Sequence, residues 1–335
     1  MFVVDLGLTI FGLIALAAGG YVLVAGGAAL AKRLQISSMV VGLTVVAYGT
    51  STPELAASLT AAFNSHTDII LGNIVGSNIS NIGMVIGISS IIATGLVIGG
   101  IRRDGWIRDG IGIRDRVVKR WLPIMIAVSI LMVVLSIDGE ISQIDGIFLI
   151  VLLIAFTVYI VKVTKKQIPV DDVIEDEDPS GDMAISRFKV DTIPKAIFGI
   201  ILGAVLLFAG GDLTVDGAVS IAEELGLSQL VIGVVIVAIG TSLPELITSV
   251  IAIRKKQMDI GIGNIVGSNI YNILLIGGIS AALVGIPVSV DMFSNYFIMI
   301  AFSLVLFIGF RKYIPRFVGV GLTISFIVYL VSLLV

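Results

Sequence analysis

The chain has 335 residues, of which 57% are hydrophobic and only 13% are charged, about half the charged fraction usual in soluble proteins. This composition predicts an integral membrane protein, and the long unbroken apolar runs exclude a β-barrel. The net charge of −3, the absence of cysteine and the single histidine give no reason to expect a nucleic-acid partner, a disulfide or a thiolate or imidazole metal site.

Apolar runs bounded by charged residues predict ten membrane-spanning helices. The first five are expected near residues 3–31, 39–63, 69–95, 121–137 and 145–164, and the second five near residues 194–222, 230–253, 260–284, 292–310 and 317–335. Residues 165–193 between the two sets are polar and rich in Asp and Glu. We therefore expect an all-α membrane protein in which two five-helix domains, residues 1–164 and 194–335, are joined by an acidic linker.

The charges in the predicted loops indicate an orientation. All 21 Lys and Arg residues fall in or beside odd-numbered connections, whereas the even-numbered connections carry only acidic charges. Because cytoplasmic loops are enriched in Lys and Arg, this pattern predicts a cell-membrane protein with both termini outside and the linker in the cytoplasm. An error of one helix would destroy the alternation, so the charges support ten spans independently of hydropathy.

The chain contains an internal repeat. Shifted by 191 residues without a gap, residues 39–92 align with residues 230–283, and 27 of the 54 positions are identical. Each half has an odd number of predicted helices, so equivalent helices cross the bilayer in opposite directions. Inverted repeats are typical of alternating-access transporters with a binding site near the midplane. Duplication of a mere scaffold would preserve spacing and small residues, but it would not preserve acidic residues inside the spans.

The first shared motif is GTSTPE at residues 49–54 and GTSLPE at residues 240–245. Proline removes a helical hydrogen bond, so carbonyls of the preceding turn, from Ala47 and Ala238 onward, should be free to face ions or water. A carboxylate at this depth costs about 2.5–3.5 kcal/mol, and no Lys or Arg is available there to pair with Glu54 or Glu245. We therefore expect a cation at the two carboxylates. The nearby hydroxyls are those of Thr50, Ser51, Thr241 and Ser242.

The second shared motif is GNIVGSN at residues 72–78 and 263–269. In each repeat it places three polar side chains four residues apart on one helical face. These residues are Asn73, Ser77 and Asn81 in the first repeat and Asn264, Ser268 and Asn272 in the second. Oxygen ligands without Cys or His suit hard ions such as Na⁺ and Ca²⁺. For Asn73 and Asn264 a helix–helix hydrogen bond is an equally good interpretation.

The doubled motif resembles the two α-repeats of the cation/Ca²⁺ exchanger superfamily, in particular of the prokaryotic type of its sodium/calcium exchanger family. The resemblance covers nearly the whole chain. It implies that Glu54 and Glu245 bind both Ca²⁺ and Na⁺ and that Thr50 and Thr241 offer carbonyls to Ca²⁺. The implied flanking Na⁺ sites use Ala47, Ser51 and Ser268 on one side and Ala238, Ser242 and Ser77 on the other, with Asn81 at the centre. Some relatives carry Asp at the position of Asn272, and the Asn here argues against a middle cation site and K⁺ dependence.

The expected function is therefore antiport of Na⁺ and Ca²⁺ by alternating access, without enzymatic activity or cofactor. Beyond the two ions, the expected partner is the lipid bilayer, and no obligatory protein partner is evident. A H⁺/Ca²⁺ antiporter would use the same carboxylates and is the main alternative. A K⁺-dependent exchanger and a passive cation channel are less favoured, because the repeat and the proline-broken helices are typical of transporters.

The predicted first and sixth helices carry aligned glycines rather than oxygen ligands. Small residues allow helices to approach closely, which fits either static packing or sliding. In the family that the sequence resembles, this pair moves across the core. Asp212 and Asp216 lie late in the sixth helix, where solvation at the membrane interface explains them more simply than a role in cation entry.

Overall fold

The computed structural model describes residues 2–64, 66–93, 97–98, 101–102, 110–112, 117–164, 190, 192–226, 238–311 and 313–334. Most of these residues are helical. The helices of the first half are α1 (Phe2–Leu34), α2 (Ser38–Thr50), α3 (Thr52–Phe63), α4 (Thr67–Ile92), α5 (Leu122–Leu135) and α6 (Gln143–Thr164). Those of the second half are α7 (Ile193–Glu224), α8 (Ala238–Thr241), α9 (Leu243–Arg254), α10 (Met258–Val284), α11 (Met292–Val305) and α12 (Arg316–Ser332).

Helical residues are found within every predicted span. In the described part of the chain, five helical stretches are long and apolar enough to cross a membrane. They are Phe2–Leu34, Thr67–Ile92, Gln143–Lys162, Ile193–Glu224 and Met258–Val284. The start of the predicted seventh span, and all of the acidic linker except residues 190, 192 and 193, lie outside the described residues.

Among the described residues, six short strands, which the sequence did not predict, pair in the loops. The strand β1 (Val97–Ile98) pairs with β2 (Ile101–Arg102), β3 (Gly110–Gly112) with β6 (Tyr313–Pro315), and β4 (Glu140–Ile141) with β5 (Ile286–Pro287), all antiparallel. These short pairs add to the loops and leave the expected all-α fold class unchanged. Strands of two or three residues are too short to produce an alternating pattern.

Helices α4 and α10 form the centre of the molecule and are almost entirely buried, whereas α1, α6 and α7 expose much apolar surface. Such surface suits contact with lipid. A π-helical turn interrupts each central helix, at Asn81–Ile86 in α4 and at Asn272–Gly277 in α10. The two turns occupy equivalent positions of the repeat, so the local geometry recurs together with the sequence.

Helices α1 and α7 pack closely and antiparallel through glycine. A Cβ atom at Gly12 would lie 2.8 Å from the carbonyl oxygen of Gly210, and one at Gly19 would lie 2.9 Å from that of Gly203. In the 191-residue alignment, Gly12 corresponds to Gly203 and Gly19 to Gly210. The two contacts therefore exchange when the halves are interchanged, which is how contacts across a two-fold axis behave.

Candidate ion-binding site

Two helix breaks lie beside the predicted ligands. Helix α2 ends at Thr50 and α3 begins at Thr52, so Ser51 alone separates them, and Ser242 separates α8 from α9 in the same way. In both places proline follows the break within the first helical turn, as expected from its missing N–H group. The breaks place two helix N-termini, which carry partial positive charge, inside the protein.

Glu54 and Glu245 lie in the first turns of α3 and α9. Their exposed fractions are 1% and 0%, and the hydroxyl of Ser51, three residues before Glu54, reaches the carboxylate of Glu245. Both oxygens of Glu54 and Oε2 of Glu245 have no hydrogen-bond partner among the described residues. Burying a carboxylate without a partner is costly, so this arrangement favours a bound cation or proton.

The fourth carboxylate oxygen, Oε1 of Glu245, accepts hydrogen bonds from two hydroxyl groups. Ser51 donates a 3.2 Å hydrogen bond to Oε1 of Glu245, and Ser268 donates to the same atom at 3.5 Å. The equivalent residues on the Glu54 side behave differently: the hydroxyl of Ser242 has no partner among the described residues, and Ser77 donates to Asn73 at 3.4 Å. The sequence places the same residue types around both carboxylates, but the structure is asymmetric.

The threonines and alanines of the motif lie in the last described turns of α2 and α8. The Thr50 hydroxyl donates to Oδ1 of Asn264 at 2.9 Å and lies 3.3 Å from the carbonyl oxygen of Ala47. Thr241 is half-buried at the end of α8. Ala238 is the first described residue of α8, and its side chain is outside the described part of the structure.

Asn73 and Asn264 hold neighbouring helices together. The Asn73 amide donates to the backbone carbonyl of Glu54 at 3.0 Å and to Ser58 at 2.8 Å, and the Asn264 amide donates to Ser249 at 3.1 Å. Of the two interpretations left open by the sequence, the helix–helix hydrogen bond is the one observed. Ser58 and Ser249 were not predicted to take part, although their identity in both repeats was an available signal.

A cluster of asparagines joins the two central helices. Asn272 donates to Oδ1 of Asn78 at 3.1 Å, and Asn78 donates to the backbone carbonyl of Asn269 at 3.3 Å. Asn78 and Asn269 are equivalent in the repeat, and neither was predicted to take part in the site. Asn81 is buried, and neither its amide nitrogen nor its amide oxygen has a partner among the described residues.

Most of the possible ion ligands at this site are uncharged. Within the described ranges, no group of three or more His, Cys, Asp or Glu residues could hold a metal ion. The two carboxylates are therefore supplemented by neutral oxygens from hydroxyls, amides and backbone carbonyls. Such a set suits Na⁺ and Ca²⁺ rather than Zn²⁺ or copper.

The model of the family described as sodium/calcium exchanger protein matches residues 4–162 and 195–335. The chain belongs to the sodium/calcium exchanger family. This exchanger is 33% identical over 315 residues to the putative antiporter CaxA of Alkalimonas amylolytica, which covers 91% of the chain and 90% of that protein. It is 31% identical to the sodium/calcium exchanger MaX1 of Methanosarcina acetivorans, with 99% of each chain covered. A solved structure of the sodium-calcium exchanger NCX_Mj has a TM-score of 0.79 and 29% identity, and the match covers 99% of this chain and 100% of that one.

Family membership and the structural match confirm several predictions. The exchanger has an all-helical membrane fold apart from its short strands, and it is a multi-pass membrane protein and not an enzyme. Cation/Ca²⁺ exchange is its activity, as the family assignment indicates.

Proposed function

We propose that this exchanger moves Ca²⁺ against Na⁺ by alternating access, with the ions bound between Glu54 and Glu245. The observation that carries the proposal is the pair of buried carboxylates with three unpartnered oxygens. One Ca²⁺ or two Na⁺ ions neutralise both charges. The two ions therefore compete for the same oxygens, and this competition couples their movements without any remote mechanism.

The remaining ligands are proposed from the motif positions. Ca²⁺ takes the carbonyls of Thr50 and Thr241 besides the two carboxylates, and Asn81 and Asn272 line the centre. The flanking Na⁺ sites consist of Ala47, Ser51 and Ser268 on one side and Ala238, Ser242 and Ser77 on the other. The unpartnered hydroxyl of Ser242 and the unpartnered amide of Asn81 support this assignment, because buried polar groups normally have a partner.

The proposed architecture is ten transmembrane helices arranged as two inverted five-helix repeats, residues 1–164 and 194–335. The reciprocal glycine contacts of α1 and α7 support the two-fold relation. The distribution of Lys and Arg supports extracytoplasmic termini and a cytoplasmic linker at residues 165–193. In this orientation α9 leads to the cytoplasmic surface and α3 to the outer surface. No cofactor or obligatory protein partner is part of the proposal.

The test is uptake of ⁴⁵Ca into proteoliposomes driven by an outward Na⁺ gradient. We expect uptake in the wild type and none in Glu54→Gln or Glu245→Gln, both folded and inserted. Glu224→Gln changes an exposed carboxylate at the end of α7 and serves as a control that keeps the activity. Normal flux in either site variant would refute the ligand assignment.

The same vesicles separate the alternatives. Uptake driven by a pH gradient without Na⁺ would identify a H⁺/Ca²⁺ antiporter, and an absolute need for K⁺ would identify a K⁺-dependent exchanger. Unitary currents in a planar bilayer would identify a channel.

A further inference from the structure

The contacts of α1 and α7 with the broken helices are asymmetric. A Cβ atom at Gly20 of α1 would lie 3.1 Å from the Ile251 side chain and 3.5 Å from the backbone of Thr248, both in α9. At the equivalent position of α7, a Cβ atom at Gly211 would meet only Pro244, at 3.7 Å, among the described residues within 4 Å. Helix α1 thus covers α9, whereas α7 leaves the face of α3 uncovered at this level.

The covered and uncovered faces differ in exposure. Thr248 in α9 is 0% exposed, whereas Ala57, its counterpart in α3, is exposed. Both lie three residues beyond a site carboxylate, on the same helical face as that carboxylate. With the proposed orientation, α1 covers the route from the site to the cytoplasm along α9, whereas the route to the outside along α3 is less covered and is exposed at Ala57.

A cation–π contact lies where α1 covers α9. The Lys255 ammonium, one residue beyond the end of α9, stands 3.4 Å from the centre of the Tyr21 ring. Tyr21 is adjacent to Gly20, so the contact joins the two helices at the level where they pack. A Lys ammonium over an aromatic face is attracted by the ring quadrupole.

We propose that Tyr21 and Lys255 are positioning residues for exchange: their contact holds α1 against α9, keeps the cytoplasmic route closed, and breaks when the site opens inward. The sidedness of this inference rests on the proposed function and its orientation. Among the described residues, neither Tyr21 nor Lys255 has a hydrogen bond to a proposed ligand, so their proposed effect is on the position of α1.

The repeat shows why this contact biases the equilibrium between the state closed toward the cytoplasm and the state open toward it. Aligned by 191 residues, Tyr21 corresponds to Asp212 and Lys255 to Asn64. Both counterparts are exposed, and the structure, which describes both of them, gives no hydrogen bond between them. The outer route therefore has no cation–π pair with which to close. Loss of the Tyr21–Lys255 contact therefore destabilises the state in which α1 covers α9 and leaves the state in which α7 covers α3 unaffected.

The test uses the absence of cysteine from the chain. Thr248→Cys reports opening of the cytoplasmic route, and Ala57→Cys reports the outer route as its repeat-matched control. Rates of maleimide labelling are measured on purified, ion-free protein carrying Lys255→Gln, Tyr21→Leu, both changes or neither. We expect each change to raise Thr248→Cys labelling about two- to five-fold, the effect of a partly exposed cation–π contact on a minor population. The double variant should match the single ones.

Conservative variants separate this role from general packing. Tyr21→Phe keeps the ring face and is expected to leave labelling unchanged. An equal rise in Tyr21→Phe and Tyr21→Leu, or no rise in any variant, would overturn the proposal. If Thr248→Cys fails to fold, Ile251→Cys with its counterpart Thr60→Cys replaces the reporter pair. Because labelling needs no transport, normal Ca²⁺ flux in the Glu54→Gln and Glu245→Gln variants would overturn the proposed function without touching this result.

Discussion

Replacing Glu54 by Gln is expected to stabilise the ion-free protein while removing its response to Ca²⁺. Glu and Gln side chains have nearly the same shape, and both carboxylate oxygens of Glu54 are buried without a hydrogen-bond partner among the described residues. A buried charge in the membrane costs about 2.5–3.5 kcal/mol, whereas an unsatisfied neutral amide costs about 1–3 kcal/mol. Relief of repulsion from Glu245 adds to the difference, so we expect a net gain of about 1–2 kcal/mol.

Glu245→Gln is expected to give a smaller gain. Its Oε1 accepts hydrogen bonds from Ser51 at 3.2 Å and Ser268 at 3.5 Å. Hydrogen bonds to a charged group contribute about 1.5–3 kcal/mol at good geometry, and these lengths place both bonds at the weak end. Replacing the charged carboxylate by a neutral amide weakens these hydrogen bonds. This loss offsets most of the free energy gained because a charge is no longer buried. The order of stabilities in ion-free buffer should therefore be Glu54→Gln, then Glu245→Gln, then wild type.

The assay is denaturant unfolding in detergent, first with chelator and without Na⁺, then with Ca²⁺. At a Ca²⁺ concentration of one hundred times Kd, binding stabilises the wild type by about 2.7 kcal/mol, and neither site variant should respond. Glu224→Gln should follow the wild type in both buffers. A Glu54→Gln variant that is less stable than wild type without ions and still responds to Ca²⁺ would mean that the carboxylate is structural.

Three further changes are expected to have measurable effects. Gly203→Leu places side-chain atoms against the α1 backbone, where even a Cβ atom would approach within 2.6 Å. It should lower the free energy of unfolding by about 1–3 kcal/mol. The control Gly7→Leu, at a position with no neighbouring atom within 4 Å, should change the free energy of unfolding by less than about 0.5 kcal/mol. Arg316→Met removes two hydrogen bonds, of 2.6 Å and 3.2 Å, to one backbone carbonyl after α4. It should lower the free energy of unfolding by about 1.5–3 kcal/mol. Arg316→Lys should recover only part of this loss, because a Lys ammonium lacks the planar shape and paired N–H groups of the Arg guanidinium. Asn64→Lys combined with Asp212→Tyr puts a cation–π pair on the outer route and should lower labelling of the outer cysteine reporter; unchanged labelling would show that the two routes do not close by equivalent motions.

Hydropathy and proline were sufficient to predict segments that all contain helical residues and to predict both helix breaks, because these features act locally on the chain. The π-helical turns at Asn81–Ile86 and Asn272–Gly277 had no such signal. They depend on how α4 and α10 pack in the centre. The pairing of β3 with β6 was also beyond the sequence, since it joins residues about two hundred positions apart through strands of three residues.

The candidate site was predictable in its residue types but not in its bonding. Buried acids in a repeated motif identified Glu54 and Glu245, since no basic residue was available to pair with them. Geometry was needed to separate the asparagines that join helices from those that remain unpartnered, such as Asn81. Ser51 and Ser242 sit in nearly identical sequences, yet only Ser51 reaches a carboxylate. Sequence identity cannot predict a difference between equivalent positions.

That difference agrees with the asymmetry of the helix packing. The hydroxyl of Ser51 bonds to Glu245, the carboxylate of the helix that α1 covers, while the Ser242 hydroxyl and the Glu54 carboxylate have no partner among the described residues, on the side where α3 is less covered. Exchanging the halves would give a state in which Ser242 donates to Glu54 and α7 covers α3. Because the central residues are the same in both halves, the two states have nearly equal energies at the site, as an exchanger needs if both are to be populated. The preference for one state must then come from positions where the repeats differ, and Tyr21 with Lys255 is such a pair.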